Sequence, residues 1–170
     1  MIGGRDRGDR TKNALTVDLE DWYHPELVRR HAPANPKPQV IEATDSILRL
    51  LDRHSVRATF FVLGEVARRH PDLIRDIHGR GHEIASHGMS HRPLWELGYD
   101  DLDRELRAFR EVIRGILGED VRISGFRAPT FSMDNRTRYA MKCLVDHGYL
   151  YDTSIFPARN YVYGMPDAPC

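Results

Sequence analysis

A parallel α/β architecture, either an open doubly wound sheet or a closed barrel, is what this 170-residue sequence predicts. Two observations lead there. Five short β-type runs alternate with helical stretches, the pattern that builds a parallel sheet through crossover connections. The reactive side chains also follow these runs directly, where loops at the carboxyl ends of parallel strands gather binding residues.

The elements follow in order. The first thirteen residues, MIGGRDRGDRTKN, are polar and rich in Gly and Arg, and are expected to be a disordered leader ahead of one domain over 14–170. ALTVD at 14–18 reads as the first strand, and an aromatic, Pro-containing loop runs from Trp22 to Pro38. Val40–Arg53 carries Ile41, Ile47, Leu48, Leu50 and Leu51 on a helical stripe, and RATFFVLG at 57–64 is a second strand closed by Gly64. Pro71–His78 is a short helix ended by Gly79, and HEIAS at 82–86 a third strand. Asp100–Leu117 places Leu102, Leu106, Phe109, Ile113 and Ile116 at helical spacing before Gly118 stops it. VRISGF at 121–126 is the fourth strand, Arg136–Asp146 a helix, and YLYDTSI at 149–155 the fifth strand.

Composition narrows the partners. The 25 basic and 25 acidic residues cancel, so no net field draws the protein to nucleic acid or an anionic membrane. No run of 18 apolar residues exists to span a bilayer. The two cysteines, Cys143 and Cys170, cannot form a disulfide framework or a CxxC metal site, which suits a reducing compartment. A cytoplasmic location and a neutral partner are expected.

The chemistry concentrates in two motifs. SHGMSH at 86–91 sets His87 and His91 four apart in a loop that can fold both imidazoles onto one ion. Alone, that spacing also fits surface histidines; its position after a strand points to a metal. His78 and His82 share the spacing but precede the third strand. At about 3.3 Å per residue, His82 would lie roughly 17 Å from His87, on the opposite face. DLED at 18–21 crowds Asp18, Glu20 and Asp21 together, a repulsion that a cation or proton would relieve. Asp18 and Glu20 point the same way in an extended segment, so one can be a ligand and the other a base. Two histidines and a carboxylate leave coordination positions open, as a hydrolytic metal requires. Arg127, at the end of the fourth strand, is a cation placed to orient the base, and Asp152 lies late in the fifth. The aromatic stretch Trp22, Tyr23 and His24, together with Trp95, could stack on sugar rings or simply pack.

TVDLEDW at 16–22, HEIASHGMSH at 82–91, FRAPTFS at 126–132 and YDTSIFP at 151–157, in that order, resemble the polysaccharide deacetylase family, the NodB-homology carbohydrate esterases. The DxED start and the YDTSIFP…YGMPDAP ending are similar to the branch associated with exopolysaccharide and exosortase loci, itself near an allantoinase-like branch. The resemblance implies a distorted (β/α) barrel that uses a zinc-like metal to remove acetyl groups from N-acetylhexosamine polymers or oligosaccharides. It implies Asp18 as catalytic base, Glu20, His87 and His91 as metal ligands, with Asp21 as the fallback carboxylate, and Arg127 as the residue positioning the base. Pro129 and Thr130 would shape the groove and present a backbone N–H to the oxyanion. Asp152 and Ser154 would belong to the segment lining the acetyl pocket.

The chain departs from the family pattern twice. Leu19 stands where the commoner pattern has a second aspartate, and no leucine-x-histidine supplies a general acid before Cys170. These departures suggest a C-terminally truncated, incomplete barrel whose unpaired edge could drive self-association. They also keep two alternatives in view: an allantoinase-like cyclic amide hydrolase, or an impaired fragment that only binds metal or carbohydrate.

Overall fold

Alternating in-out residues govern the sheet. In the computed structural model, which describes residues 13–158, 160 and 162–168, five parallel strands pair in sequence order. They are β1 (Thr16–Leu19), β2 (Thr59–Val62), β3 (Glu83–Ser86), β4 (Gly125–Phe126) and β5 (Tyr151–Asp152). Register runs straight across, with Asp18 opposite Phe61, Phe61 opposite Ala85, and Phe126 opposite both Ser86 and Asp152. Among the described residues the sheet stays open, with β1 and β5 as its outer strands.

One face of the sheet carries Val17, Leu19, Phe60, Val62, Ile84 and Phe126 into the main core. Onto it pack α2 (Val40–Arg53), α3 (Gly64–Arg69), α4 (Pro71–Gly79), α5 (Tyr99–Leu117) and α6 (Tyr139–Asp146), while α1 (Glu26–Arg29) sits in the loop after β1. Leu48, Ile74, Ile77, Leu102, Leu106, Phe109 and Ile113 are fully buried on these helices. Each contributes about 1.5–3 kcal/mol by leaving water. The opposite face is polar and carries Thr16, Asp18, Thr59 and Glu83, with Phe61 sealed beneath the Arg127 guanidinium at 4.1 Å and beside Tyr151.

Several boundaries differ from the sequence expectation. Gly64 begins a helix instead of closing a strand: α3 runs until His70, whose backbone leaves the helical region (φ −131°, ψ 60°) ahead of Pro71, which starts α4. The fourth strand shrinks from 121–126 to two residues, and the fifth from 149–155 to two, because only those positions find ladder partners. Helix α6 starts at Tyr139, since the Thr137 hydroxyl accepts the Asp134 N–H and holds a turn ahead of it. The expected leader falls almost wholly outside the described residues, as does Cys170. No described helix is long and apolar enough to cross a membrane.

Candidate active site

Short loops after β1, β3 and β4 bring the expected residues together. Asp18 lies near the end of β1, and both Asp18 and Glu20 face one cleft of about 180 Å³. His87 and His91 form its floor beside them, with Pro25, Glu26 and Leu27 of the α1 region and Ala128, Thr130, Phe131 and Tyr163 among its lining. The loop from His87 to His91 turns through left-handed backbone at Gly88 (φ 78°) and at His91 itself (φ 60°). For a histidine that conformation is strained, and it persists where surrounding contacts over-determine it.

Glu20, His87 and His91 each offer a ligand atom within 4.8 Å of the others, and both imidazoles are buried. His87 Nδ1 lies 2.8 Å from the Arg127 carbonyl oxygen, which can only accept. Nδ1 therefore carries the proton, and Nε2 keeps its lone pair for a ligand. Glu20 Oε2 sits 2.8 Å from His91 Nε2, yet it is a buried oxygen with no directional hydrogen bond, and His91 Nδ1 is likewise without a partner. A close electrostatic contact that lacks bond geometry fits a carboxylate and an imidazole converging on a cation.

The local electrostatics agree. Burial pushes the Glu20 carboxyl up, but contact with His91 and the nearby His87 and His24 outweigh it and hold it below the usual carboxylate range. Burial holds His87 below the ordinary histidine value despite Asp18 and Glu20 nearby, and does the same to His24. Neutral imidazoles beside an ionised carboxylate are the protonation states that bind a metal ion.

Asp18 is held separately. Its Oδ1 accepts a 2.6 Å bond from Arg127 Nη1, while Arg127 Nε and Nη2 donate to Thr153 Oγ1 (2.9 Å) and Thr16 Oγ1 (3.1 Å). All three guanidinium nitrogens are used, so one oxygen of Asp18 is fixed while the residue lines the cleft. Asp21 serves the backbone: it is buried and accepts the N–H groups of Gln39 at 2.9 Å and Trp22 at 3.3 Å. It stands outside the donor group, in which Glu20 is the carboxylate that meets the two histidines.

The remaining expected residues divide. Thr130 lines the cleft in a left-handed conformation (φ 56°), and Pro129 is buried behind it. Asp152 and Ser154 do not line the cleft. Asp152 accepts the Ser154 N–H at 3.0 Å and the Ser154 hydroxyl, whose oxygen in turn accepts the Ala128 N–H at 2.7 Å, bracing the loop after β4. Burial raises the Asp152 carboxyl, partly offset by those Ser154 bonds. Trp22 and Trp95 also stand outside the cleft lining, Trp22 donating its indole N–H to the Lys37 carbonyl at 3.0 Å. His82 sits at the start of β3, buried against Phe60 and accepting the Ala58 N–H, remote from the cluster as its position before the strand implied.

Sequence reading missed three supports. Thr16 of β1 and Thr153, just after β5, bond Arg127 from the two outer strands, and Glu105 of α5 bonds the histidine loop. Glu105 carries no motif; its one signal is a carboxylate beside the apolar stripe of an amphipathic helix. His24 was visible only as part of an aromatic run, whereas its Nδ1 accepts the Asp21 N–H at 2.8 Å and its ring stacks 6.4 Å from that of His91.

A parallel α/β sheet that gathers a histidine–histidine–carboxylate cluster and an arginine-held aspartate at the carboxyl ends of its strands places the chain among α/β folds whose binding residues follow the strands. The chain belongs to the polysaccharide deacetylase family, whose model matches residues 35–149. A chitooligosaccharide deacetylase of Rhizobium leguminosarum bv. trifolii is 41% identical over 70 residues, covering 41% of this chain and 33% of that protein. The chitooligosaccharide deacetylase of Azorhizobium caulinodans is 31% identical over 129 residues, 76% of this chain and 53% of its own length. A crystal structure from Mycobacterium smegmatis, described as of a polysaccharide deacetylase, superposes with a TM-score of 0.70 at 32% identity, covering 84% of this chain and 50% of that one. The chain thus spans between a third and about half of these relatives.

Proposed function

We propose that this site removes acetyl groups from N-acetylhexosamine units of a polysaccharide by hydrolysing the amide carbon–nitrogen bond. The observation that carries the proposal is the pairing of Asp18 with Arg127 beside the Glu20, His87 and His91 donor set. Those three residues would hold a divalent ion, with zinc favoured by the donor types. Such an ion supplies Lewis-acid polarisation of the amide and a more acidic water. Asp18, held by Arg127 on one oxygen, takes the proton of the attacking water on the other. Thr130, turned into the cleft, offers its backbone N–H to the developing oxyanion. The amide bond then breaks to acetate and an amine, and the proton held by Asp18 balances the one that the departing nitrogen needs.

A cleft of about 180 Å³ supports a polymer substrate. It is smaller than the roughly 300–1,000 Å³ that enclose whole small ligands, and so suits one acetamido group with the chain lying across the rim. The Asp18-x-Glu20 spacing supports the exopolysaccharide-associated branch, and the buried free thiol of Cys143 supports a reducing, cytoplasmic setting. Metal-dependent acetate release from chito-oligosaccharides tests the activity, with small cyclic ureides as the competing substrate. Asp18→Asn should lower release by roughly 10²–10⁴-fold while metal binding persists. His87→Ala should abolish stoichiometric zinc or cobalt binding. Unchanged metal content in that variant would overturn the site, and ureide turnover without acetate release would overturn the substrate class.

A further inference from the structure

The histidine loop is clamped from two sides, and one of the clamps is a carboxylate that the proposed reaction does not use. Glu105, on the third turn of α5 counted from Gly98, aims its side chain out of the helix and under residues 89–90. Its Oε2 accepts the Met89 N–H at 2.8 Å and the Ser90 N–H at 2.9 Å, and its Oε1 accepts the Ser90 hydroxyl at 2.6 Å. From the other side, the N–H groups of Gly64 and Glu65 at the start of α3 donate to the carbonyls of Gly88 at 3.0 Å and Met89 at 2.9 Å. The Met89 side chain fills the space above Gly64, where a Cβ would approach its sulfur to 2.3 Å and its Cα to 3.1 Å. Two amides and two carbonyls of a five-residue loop are thereby fixed by elements that belong to the rigid core.

These bonds explain how the loop keeps its strained shape. His91 adopts a left-handed φ of 60° without the freedom of glycine, and such conformations cost about 1–3 kcal/mol unless neighbouring contacts hold them. The two amides that Glu105 accepts are those of the residues between Gly88 and His91, where the chain reverses. Bonds to a charged acceptor are the stronger kind, and a carboxylate can take all three donors at once. An amide in its place keeps one oxygen for the two N–H groups and turns its NH₂ to the Ser90 hydroxyl, so that bond reverses and all three lose the charge that strengthens them.

We infer that Glu105 is a positioning residue for the metal-binding histidines: it holds the 87–91 loop in the shape that lets His91 join His87 and Glu20 around one ion. The inference rests on the proposed metal site. Replacement at a partner that orients ligands lowers metal affinity by roughly 10–100-fold. Glu105→Gln should therefore weaken zinc binding by that factor in competition with a chromophoric chelator and shift the visible d–d bands of the cobalt-loaded chain. In the metal-free chain, the amides of 88–91 should exchange hydrogen faster than in wild type. Glu111→Gln, elsewhere on the same helix, should leave all three readouts unchanged.

A folded Glu105→Gln chain with wild-type zinc affinity and an unshifted cobalt spectrum would overturn the inference, even with a lower melting temperature, because Glu105 would then anchor the helix and nothing more. If that variant does not fold, Ser90→Ala removes one of the three bonds and carries the same test: a smaller loss of zinc affinity supports the inference, and unchanged affinity overturns it. Wild-type chain that binds no zinc or cobalt sinks the metal site itself, a failure visible before any variant is compared.

Discussion

Arg127 shows how much one side chain at a strand end can organise. Its guanidinium spends Nη1 on Asp18, Nε on Thr153 and Nη2 on Thr16, and lies over the Phe61 ring at 4.1 Å, so that four strands meet at one group. Its backbone carbonyl meanwhile sets the tautomer of His87. Lysine keeps the charge but has no planar fork, and cannot bond three acceptors set around one plane. Arg127→Lys is expected to reduce acetate release by roughly 10²-fold through loss of Asp18 orientation, with zinc stoichiometry kept because the His87 bond uses the main chain. Paired measurements of acetate release and bound metal check this; a loss of metal with the lysine variant would place Arg127 in the ligand framework instead. At this scale the sequence was most legible: His87, His91, Glu20, Asp18 and Arg127 converge as their strand positions implied. What it could not reveal was which residues support them, whether inside a quoted motif, as Thr16 and Thr153 are, or outside any, as Glu105 is. Thr16, Thr153 and Glu105 matter only through register and helix rotation, which three-dimensional packing decides.

Helices and strands differ in how far local signals define them. Helix α2 keeps its expected bounds, although Ile41 and Leu50 of the expected stripe face solvent and Val40 and Thr44 are buried beside Leu48 and Leu51, and α5 begins one residue before its expected start; an amphipathic helix carries its pattern in every turn. The last two strands were overread. Residues 121–124 and 153–155 have β-type composition but no ladder partner, and pairing is a property of the neighbour as much as of the run. The junction of α5 and α6 offers an element-scale test. Hydrogen bonds from Arg107 and from His147 at 2.8 Å hold the Asp103 carboxyl down to about 2, below its ordinary value. A depressed carboxylate stabilises the fold above its unfolded value near 4, and that contribution disappears as pH falls through about 2. Between pH 5 and pH 2, wild type should therefore lose more melting temperature than Asp103→Asn, which has no charge to lose there. Parallel thermal melts across that range check it; identical pH slopes would remove Asp103 from the acid-sensitive set.

At the level of the whole molecule, the sheet order β1-β2-β3-β4-β5 leaves β5 as an outer strand among the described residues, and large apolar side chains stand exposed beside it. Leu150 and Val145 are 73% and 72% exposed, and Met141 is 54% exposed, on α6 and the turn that leads into β5. Together with Met133, Leu144, Tyr149 and Tyr151 they border a surface cavity of about 180 Å³. The expectation of an open, unpaired edge came from counting strands, and its apolar dressing follows from the α6 sequence YAMKCLVD, where Met141 and Val145 sit one turn apart on the outer face. An exposed strand edge flanked by an apolar strip is a template for association, which soluble proteins ordinarily blunt with charge. We expect this chain to associate with a second copy through that edge, giving a concentration-dependent mass in sedimentation. Replacing Leu150 and Val145 by lysine should raise the monomer fraction at every concentration. Because both side chains already face solvent, each change should alter stability by no more than about 0.5 kcal/mol. A single monomeric mass for the unsubstituted chain over a hundredfold concentration range would show that the apolar strip tolerates water and that the edge does not pair.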